Sequence, residues 1–327
     1  MVFSLESVKA FKIKDTQLAL FMLIAVEVWF GFQSWLMQGA VRSTSPLAFN
    51  TERFAVAFVV MALAFAGQHR RLTRRTIRAG LVMGLFGFGS FASQSFSMVY
   101  DPAGRMAFLG SLYIVAMPLG VWLLLRQRQS PLVFLGCGLV LLGGFVLLYT
   151  PGGTLLGDLF ALIRSVTFAG LILANRRFGG NPEDCVPIML IEFGIVALGS
   201  ALGAVMLHQA PINPSWDTLS PALFSGIGGS VTCGLLMLWA QPKLSATVTG
   251  VISFGEAPTT ALWGLLLGQQ VLSLSTLIAF VCIGAGTIAT TASRPLEHWM
   301  QHIRTGTPLP LTVPPVSVLQ PIEKEGA

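Results

Sequence analysis

Apolar residues fill long blocks of this chain, and polar residues collect in the short stretches between them. A membrane-crossing helix needs about 20 mostly apolar residues. Ten blocks approach that length, with approximate limits 18–40, 47–67, 79–100, 105–125, 131–149, 157–175, 185–207, 219–240, 245–268 and 273–293. Most connections are short, as at Arg126–Ser130, Tyr149–Leu156 and Gln269–Leu272. Ser130 and Pro131 stand where a helix would start, and Gly152 and Gly153 where one cannot continue. The pattern predicts an all-α polytopic membrane protein with ten transmembrane helices.

The last third of the sequence repeats the middle. Ser111–Leu148 can be laid on Val251–Ala289, pairing Leu123 with Leu266, Leu124 with Leu267, Gln127 with Gln270, Ser130 with Ser273 and Gly143 with Gly286. Each copy reads as an apolar helix, a polar turn and a Gly-rich apolar helix. Five spans per copy is an odd number, so the second copy enters the membrane from the opposite side. Two inverted repeats place a binding site between the halves near the bilayer midplane. The expected organisation is an N-terminal segment 1–17, repeats at 18–149 and 157–293, and a tail at 294–327. The tail opens with a candidate interfacial helix, PLEHWMQHIR, and continues as a Pro-rich stretch expected to be disordered.

Composition agrees with membrane residence. The chain is 54% hydrophobic and only 10% charged, against about 25% charged residues in soluble domains. Its net charge of +6 could suggest nucleic acid, but the placement of the charges argues otherwise. Of 20 Lys and Arg, 16 fall on one side of the ten-span arrangement: near the N-terminus, after spans two, four, six and eight, and in the tail. Arg42 alone occupies an opposite-side loop. The positive-inside rule then places both termini in the cytoplasm and the protein in the cell (inner or plasma) membrane. The basic clusters are topology signals, so no nucleic-acid partner is expected. The apolar run after the first lysines exceeds a signal-peptide core and reads as an uncleaved helix.

The sequence offers little for other chemistries. Cys137, Cys185, Cys233 and Cys282 are far apart and read as small packing residues, with no metal site expected. GLFGFG at Gly84–Gly89 lacks a following G-K-[ST] and lies mid-span, so close helix packing is the reading. H-E-x-x-H and G-x-S-x-G are absent from the sequence. No cofactor is expected, and an embedded enzyme or scaffold is the weaker alternative class.

Order and spacing of several passages resemble the drug/metabolite transporter superfamily, EamA type. PLAFNTERFAVAFVVMALAF (Pro46–Phe65) resembles its second span, Gly104–Ser130 its fourth, Gly157–Arg177 the start of its second repeat and Leu244–Ser273 its ninth. The resemblance implies a ten-helix basket that exports or imports small metabolites, amino acids or drugs, with spans one, three, four, six, eight and nine around a central cavity. Departures are present. The family's Gly-Glu pairs read Arg126-Gln127 and Gly268-Gln269, its Glu-Pro reads Glu256-Ala257-Pro258, and its Trp-Gly reads Trp29-Phe30-Gly31.

Charges inside spans are the sharpest functional signal, because each costs about 2.5–3.5 kcal/mol at a membrane-helix centre on insertion scales. Glu256, beside the helix-bending Pro258, is a candidate proton or substrate site. Glu27 is a candidate proton-carrying switch or, alternatively, the structural partner of Arg164. Arg105 could attract an anionic group or snorkel to headgroups. Glu52 and Arg53 read as packing or gating residues, and Glu192 as a peripheral polar contact. Trp29, Gln94, Tyr113 and Trp239 lie on spans expected to line the cavity. Gly31, Pro118 and Pro258 are the candidate hinge or gating positions. The expected activity is secondary transport, as an exporter working by alternating access, with protons as a candidate coupling ion. Import or facilitated diffusion by the same fold is the alternative.

Overall fold

A computed structural model describes residues 5–66, 72–101, 103–114, 118, 130–148, 153–213, 215–267 and 273–305. Among the described residues every regular element is helical: α1 (Leu5–Ser43), α2 (Pro46–Ala66), α3 (Arg74–Tyr100), α4 (Ala103–Gly110), α5 (Pro131–Leu148), α6 (Leu155–Phe178), α7 (Pro182–Met206), α8 (Trp216–Phe224), a π-helical segment (Ser225–Cys233), α9 (Gly234–Ala240), α10 (Ala246–Ser253), α11 (Glu256–Leu266) and α12 (Leu274–Thr305). Among the described residues six helical stretches are long and apolar enough to cross a membrane: 15–34, 46–66, 74–100, 155–178, 182–206 and 216–243. Shorter apolar helices occupy 131–146 and 274–290. Their outer surfaces are apolar, with Phe21, Leu63, Leu85, Val166, Leu198, Val281 and Ile288 exposed, while Glu27, Arg53, Arg164 and Glu192 are buried. That inversion of the soluble pattern suits a hydrocarbon solvent.

Local sequence sets the helix starts. Thr73 caps α3 by accepting from Thr76 N at 3.1 Å, and Thr154 caps α6 by accepting from Gly157 N at 3.0 Å. Ser130 and Ser273, partners in the repeat register, do likewise for α5 and α12, accepting from Leu132 N and Thr276 N at 3.2 Å each. Such oxygens satisfy N–H groups that the first helical turn leaves free.

Several expected spans differ in detail. Span nine is two helices, because the chain turns tightly at Phe254–Gly255. Pro258 has no N–H to give the Phe254 carbonyl, which instead accepts from Ala257 N at 3.1 Å. Span eight contains the π segment between α8 and α9. Span four is described as α4, a turn at Ser111–Leu112, and Pro118, which is buried; its remainder lies outside the described residues. So do the Arg126-Gln127 and Gly268-Gln269 departures and the Pro-rich tail. The expected interfacial helix after span ten is no separate element: α12 runs unbroken through Pro295 to Thr305.

Helix pairing has a two-fold character. α5 packs along α12, and α2 along α7. α1 lies on α11 as α6 lies on α4, and α3 packs on α7 as the α8 and π segment packs on α2. Glycines permit the closest approach. A Cβ on Gly136 of α5 would lie 2.7 Å from the Gly286 carbonyl oxygen, and one on Gly143 would lie 2.7 Å from that of Ala279 on α12. The register that matches Gly143 with Gly286 also matches Gly136 with Ala279, so each contact is the counterpart of the other.

Candidate functional site

The turns that divide spans four and nine fall at corresponding places. The register pairing Gly143 with Gly286 also pairs Ser111–Leu112 with Phe254–Gly255, and Tyr113 with Glu256. A buried charged side chain from a neighbouring helix sits at each turn. Arg164 of α6 lies against Gly110, where a Cβ would meet its Nη1 at 2.7 Å. Glu27 of α1 lies against Gly255, where a Cβ would be 3.3 Å from its own Cβ.

These residues converge on one constellation. Arg164 donates from Nη2 to Glu256 Oε2 at 3.0 Å, with side-chain exposures of 5% and 19%. Ser34 of α1 donates to the other carboxylate oxygen, Oε1, at 2.7 Å. The Glu27 carboxyl sits at the start of α11, beside the Ser253 hydroxyl and the Glu256 backbone N–H. Its carbonyl accepts from Thr259 Oγ1 at 2.9 Å. Tyr113 is buried with its ring 5.1 Å from that of Phe168, and Arg164 lies over the Phe168 ring at 5.6 Å. Arg164 therefore holds Glu256 by a direct hydrogen bond, whereas the sequence offers Glu27 as its alternative structural partner.

Across the same cavity stands a second guanidinium. Arg53 of α2 donates from Nε to Ser230 Oγ at 2.9 Å and from Nη1 to Met37 Sδ at 3.4 Å. It also stacks over Phe54 and Phe91 at 4.9 and 5.2 Å. The π segment makes the Ser230 contact possible. Its glycines let neighbouring helices approach, with Gly228 against Trp29, Gly229 against Gln33 and Gly226 against the Arg53 carbonyl. Local widening of a helix by π turns is frequent at functional sites.

The cavity so formed is lined by Phe30, Gln33 and Ser34 of α1, Arg53 and Phe54 of α2, Phe91 and Gln94 of α3, and Arg164, Phe168 and Asn175 of α6. Glu192 and Phe193 of α7, Ser230 and Glu256 complete much of its wall. About 60 Å³ is open to the centres of water-sized molecules. The lining is mainly aromatic and aliphatic, with two guanidiniums and two carboxylates, a composition suited to orienting a small polar or amphipathic molecule.

Other singled-out residues lie elsewhere. Arg105 grips Asp158 with two hydrogen bonds of 2.6 Å, tying α4 to the first turn of α6. Trp29 stacks on Phe224 at 5.0 Å, behind the cavity wall. Trp239 supports Lys243, whose Nζ is 4.2 Å above the ring. Gly31 is the close contact of α1 with α11, where a Cβ would be 2.7 Å from Thr260 N. Glu52 accepts from Asn213 N at 2.6 Å, fastening a connecting segment. Glu192, a peripheral contact by the sequence reading, instead faces the cavity, and its Oε2 is buried with no hydrogen-bond partner among the described residues. A carboxylate well inside an apolar run was the available signal.

Comparison with known proteins agrees with this architecture. Residues 17–149 match the model of the EamA-like transporter family. A curated relative from Archaeoglobus fulgidus, described as an uncharacterized transporter, is 22% identical over 234 residues, covering 72% of this chain and 73% of its own length. One solved crystal structure shares the fold, with a TM-score of 0.69 at 19% identity over 84% of this chain and 98% of that one. Residues 17–149 are thus similar to the EamA-like transporter family, in a chain whose helices are long and apolar enough to cross a bilayer.

Proposed function

We propose that the protein is a secondary transporter that exports small metabolites, amino acids or related compounds by alternating access around the Arg164–Glu256 cavity. The observation that carries this reading is a buried polar cavity whose bonds cross from one half of the chain to the other. Ser34 reaches Glu256, Arg53 reaches Ser230, and Thr259 reaches the Glu27 carbonyl. Rocking one half against the other must break or remake these bonds, so occupancy of the cavity is linked to the arrangement of the halves. The reciprocal pairing of α1 with α11 and of α6 with α4 supports an inverted repeat of ten spans. The broken spans, with charged side chains at their turns, support a binding site near the midplane.

Charge counting supports a role for protons. Around this site Glu27, Glu192 and Glu256 stand against two guanidiniums, Arg53 and Arg164, so the ionised set carries a formal −3 + 2 = −1. One proton, or one cationic group on a substrate, would neutralise it. A carrier could thus exchange a proton for a substrate amine at a single place.

Counterflow in proteoliposomes tests the reading. Labelled amino acids and aromatic metabolites would be exchanged by the parent protein and by Glu256→Gln at two pH values. Saturable exchange by the parent, reduced at least tenfold in the variant, is expected. Exchange indifferent to the substitution would remove Glu256 from the mechanism. The absence of exchange for every solute in the panel would contradict the proposed substrate class.

A further inference from the structure

A second concave site lies outside the central cavity, at one end of the α3–α6 pair. Arg74, Arg75 and Arg78 come from the first turns of α3, and Arg177 and Phe178 from the last turn of α6. They surround an open pocket of about 400 Å³. Among the described residues the ion pair here is Arg75 with Asp184, at 3.7 Å and with Arg75 still 54% exposed. Four guanidiniums against one carboxylate leave a formal +4 − 1 = +3 in a single concavity. At the start of α3, Thr73 and Thr76 cap each other's N–H groups. The arginine side chains, rather than the helix end, are therefore what the pocket offers to an anion.

We infer that this pocket binds the phosphate group of an anionic membrane lipid. Guanidiniums bind phosphate through paired charge-assisted hydrogen bonds, and several converging on one oxyanion relieve their mutual repulsion. The surroundings favour a lipid as the source of that phosphate. Ile77 and Leu81, 39% and 53% exposed, lie three residues beyond Arg74 and Arg78 along α3. At 1.5 Å per residue, Ile77 is about 4.5 Å further along the helix axis than Arg74. An acyl chain lying on Ile77 and Leu81 would bring its headgroup to the level of the pocket. The positive-inside pattern places the same end at the cytoplasmic leaflet, where anionic lipids attract basic clusters. α3 and α6 also carry Gln94 and Arg164 of the central cavity, so a bound lipid would brace the two helices that hold the transport site.

Native mass spectrometry of the detergent-purified full chain tests this. The probes are dioctanoyl phosphatidylglycerol, dioctanoyl phosphatidylcholine and glycerol phosphate. The chain should retain phosphatidylglycerol at least tenfold more tightly than phosphatidylcholine. The variant R74Q/R78Q/R177Q should lose that preference, and D184N, which keeps every arginine, should strengthen it severalfold. Equal preference in the parent and the triple variant overturns the proposal. Should the triple variant fail to fold, D184N decides, and an unchanged preference there overturns it as well. Glycerol phosphate binding as tightly as phosphatidylglycerol would make the site one for free phosphate esters and overturn the lipid assignment.

Discussion

Arg164 and Glu256 meet at 3.0 Å although 92 residues separate them in the chain. Glu256 stands just after the break in span nine, and Ser34 of α1 donates to its other carboxylate oxygen. Removing one partner of such a pair leaves a buried charge without compensation, at a cost of about 3 kcal/mol. Arg164→Gln should therefore destabilise the protein more than the double variant Arg164→Gln/Glu256→Gln does. Thermal unfolding in one detergent compares them. A double variant whose loss equals the sum of the single losses would mean that the two side chains are energetically independent.

The Arg105–Asp158 pair is assigned a structural role. It joins α4 to α6 at 2.6 Å, with side-chain exposures of 16% and 21%, and neither residue lines the central cavity. Asp158→Asn should lower stability by about 1–2 kcal/mol while leaving transport per folded molecule within twofold of the parent. A change in substrate preference would place this pair in the transport path.

Glycines on α5 and α12 separate packing from open space. Gly143→Leu would drive its side chain into the Ala279 backbone, whereas a Cβ at Gly138 or Gly284 meets nothing within 4 Å. The first should cost about 1–3 kcal/mol or more. Gly138→Ala and Gly284→Ala should be neutral or slightly stabilising, through reduced freedom of the unfolded chain. Unfolding midpoints check the contrast, and equal effects at all three positions would contradict the α5–α12 pairing.

Glu192 should influence which substrates bind. It faces the cavity from α7 with one carboxylate oxygen unmatched among the described residues. Glu192→Gln should weaken exchange of amine-bearing solutes at least fivefold relative to neutral ones, with the fold retained. Uniform loss across solutes, accompanied by a lower unfolding midpoint, would assign it to packing.

Much of this architecture is legible in the sequence, for identifiable reasons. The serines that start α5 and α12 occupy matched places because each must cap a helix entering from a polar turn. The register set by Gly143 and Gly286 also recovers the two broken spans, since both halves turn at corresponding positions. Individual partners are less legible. For Arg105 the sequence leaves headgroups and an anionic group open, and the structure supplies the Asp158 carboxylate. Glu27 carries Arg164 as one of two alternatives in the sequence, whereas the chain turn at Phe254–Gly255 brings Glu256 to that guanidinium. Glu192 reads from the sequence as a peripheral contact, whereas α7 packs on both α2 and α3 and this residue lines the cavity. Such partners depend on how helices distant in the chain face each other, which no pattern within one helix records.

Alternating exposure of the cavity is the central claim, and cysteine accessibility tests it most directly. With Cys137, Cys185, Cys233 and Cys282 replaced by serine or alanine, a single cysteine would be placed at Ser230 in proteoliposomes of known orientation. A membrane-impermeant thiol reagent would then be applied from each side in turn. Modification from either side, slowed by a transported solute, is the result this account predicts. Modification from one side alone, unaffected by any transported solute, would contradict it.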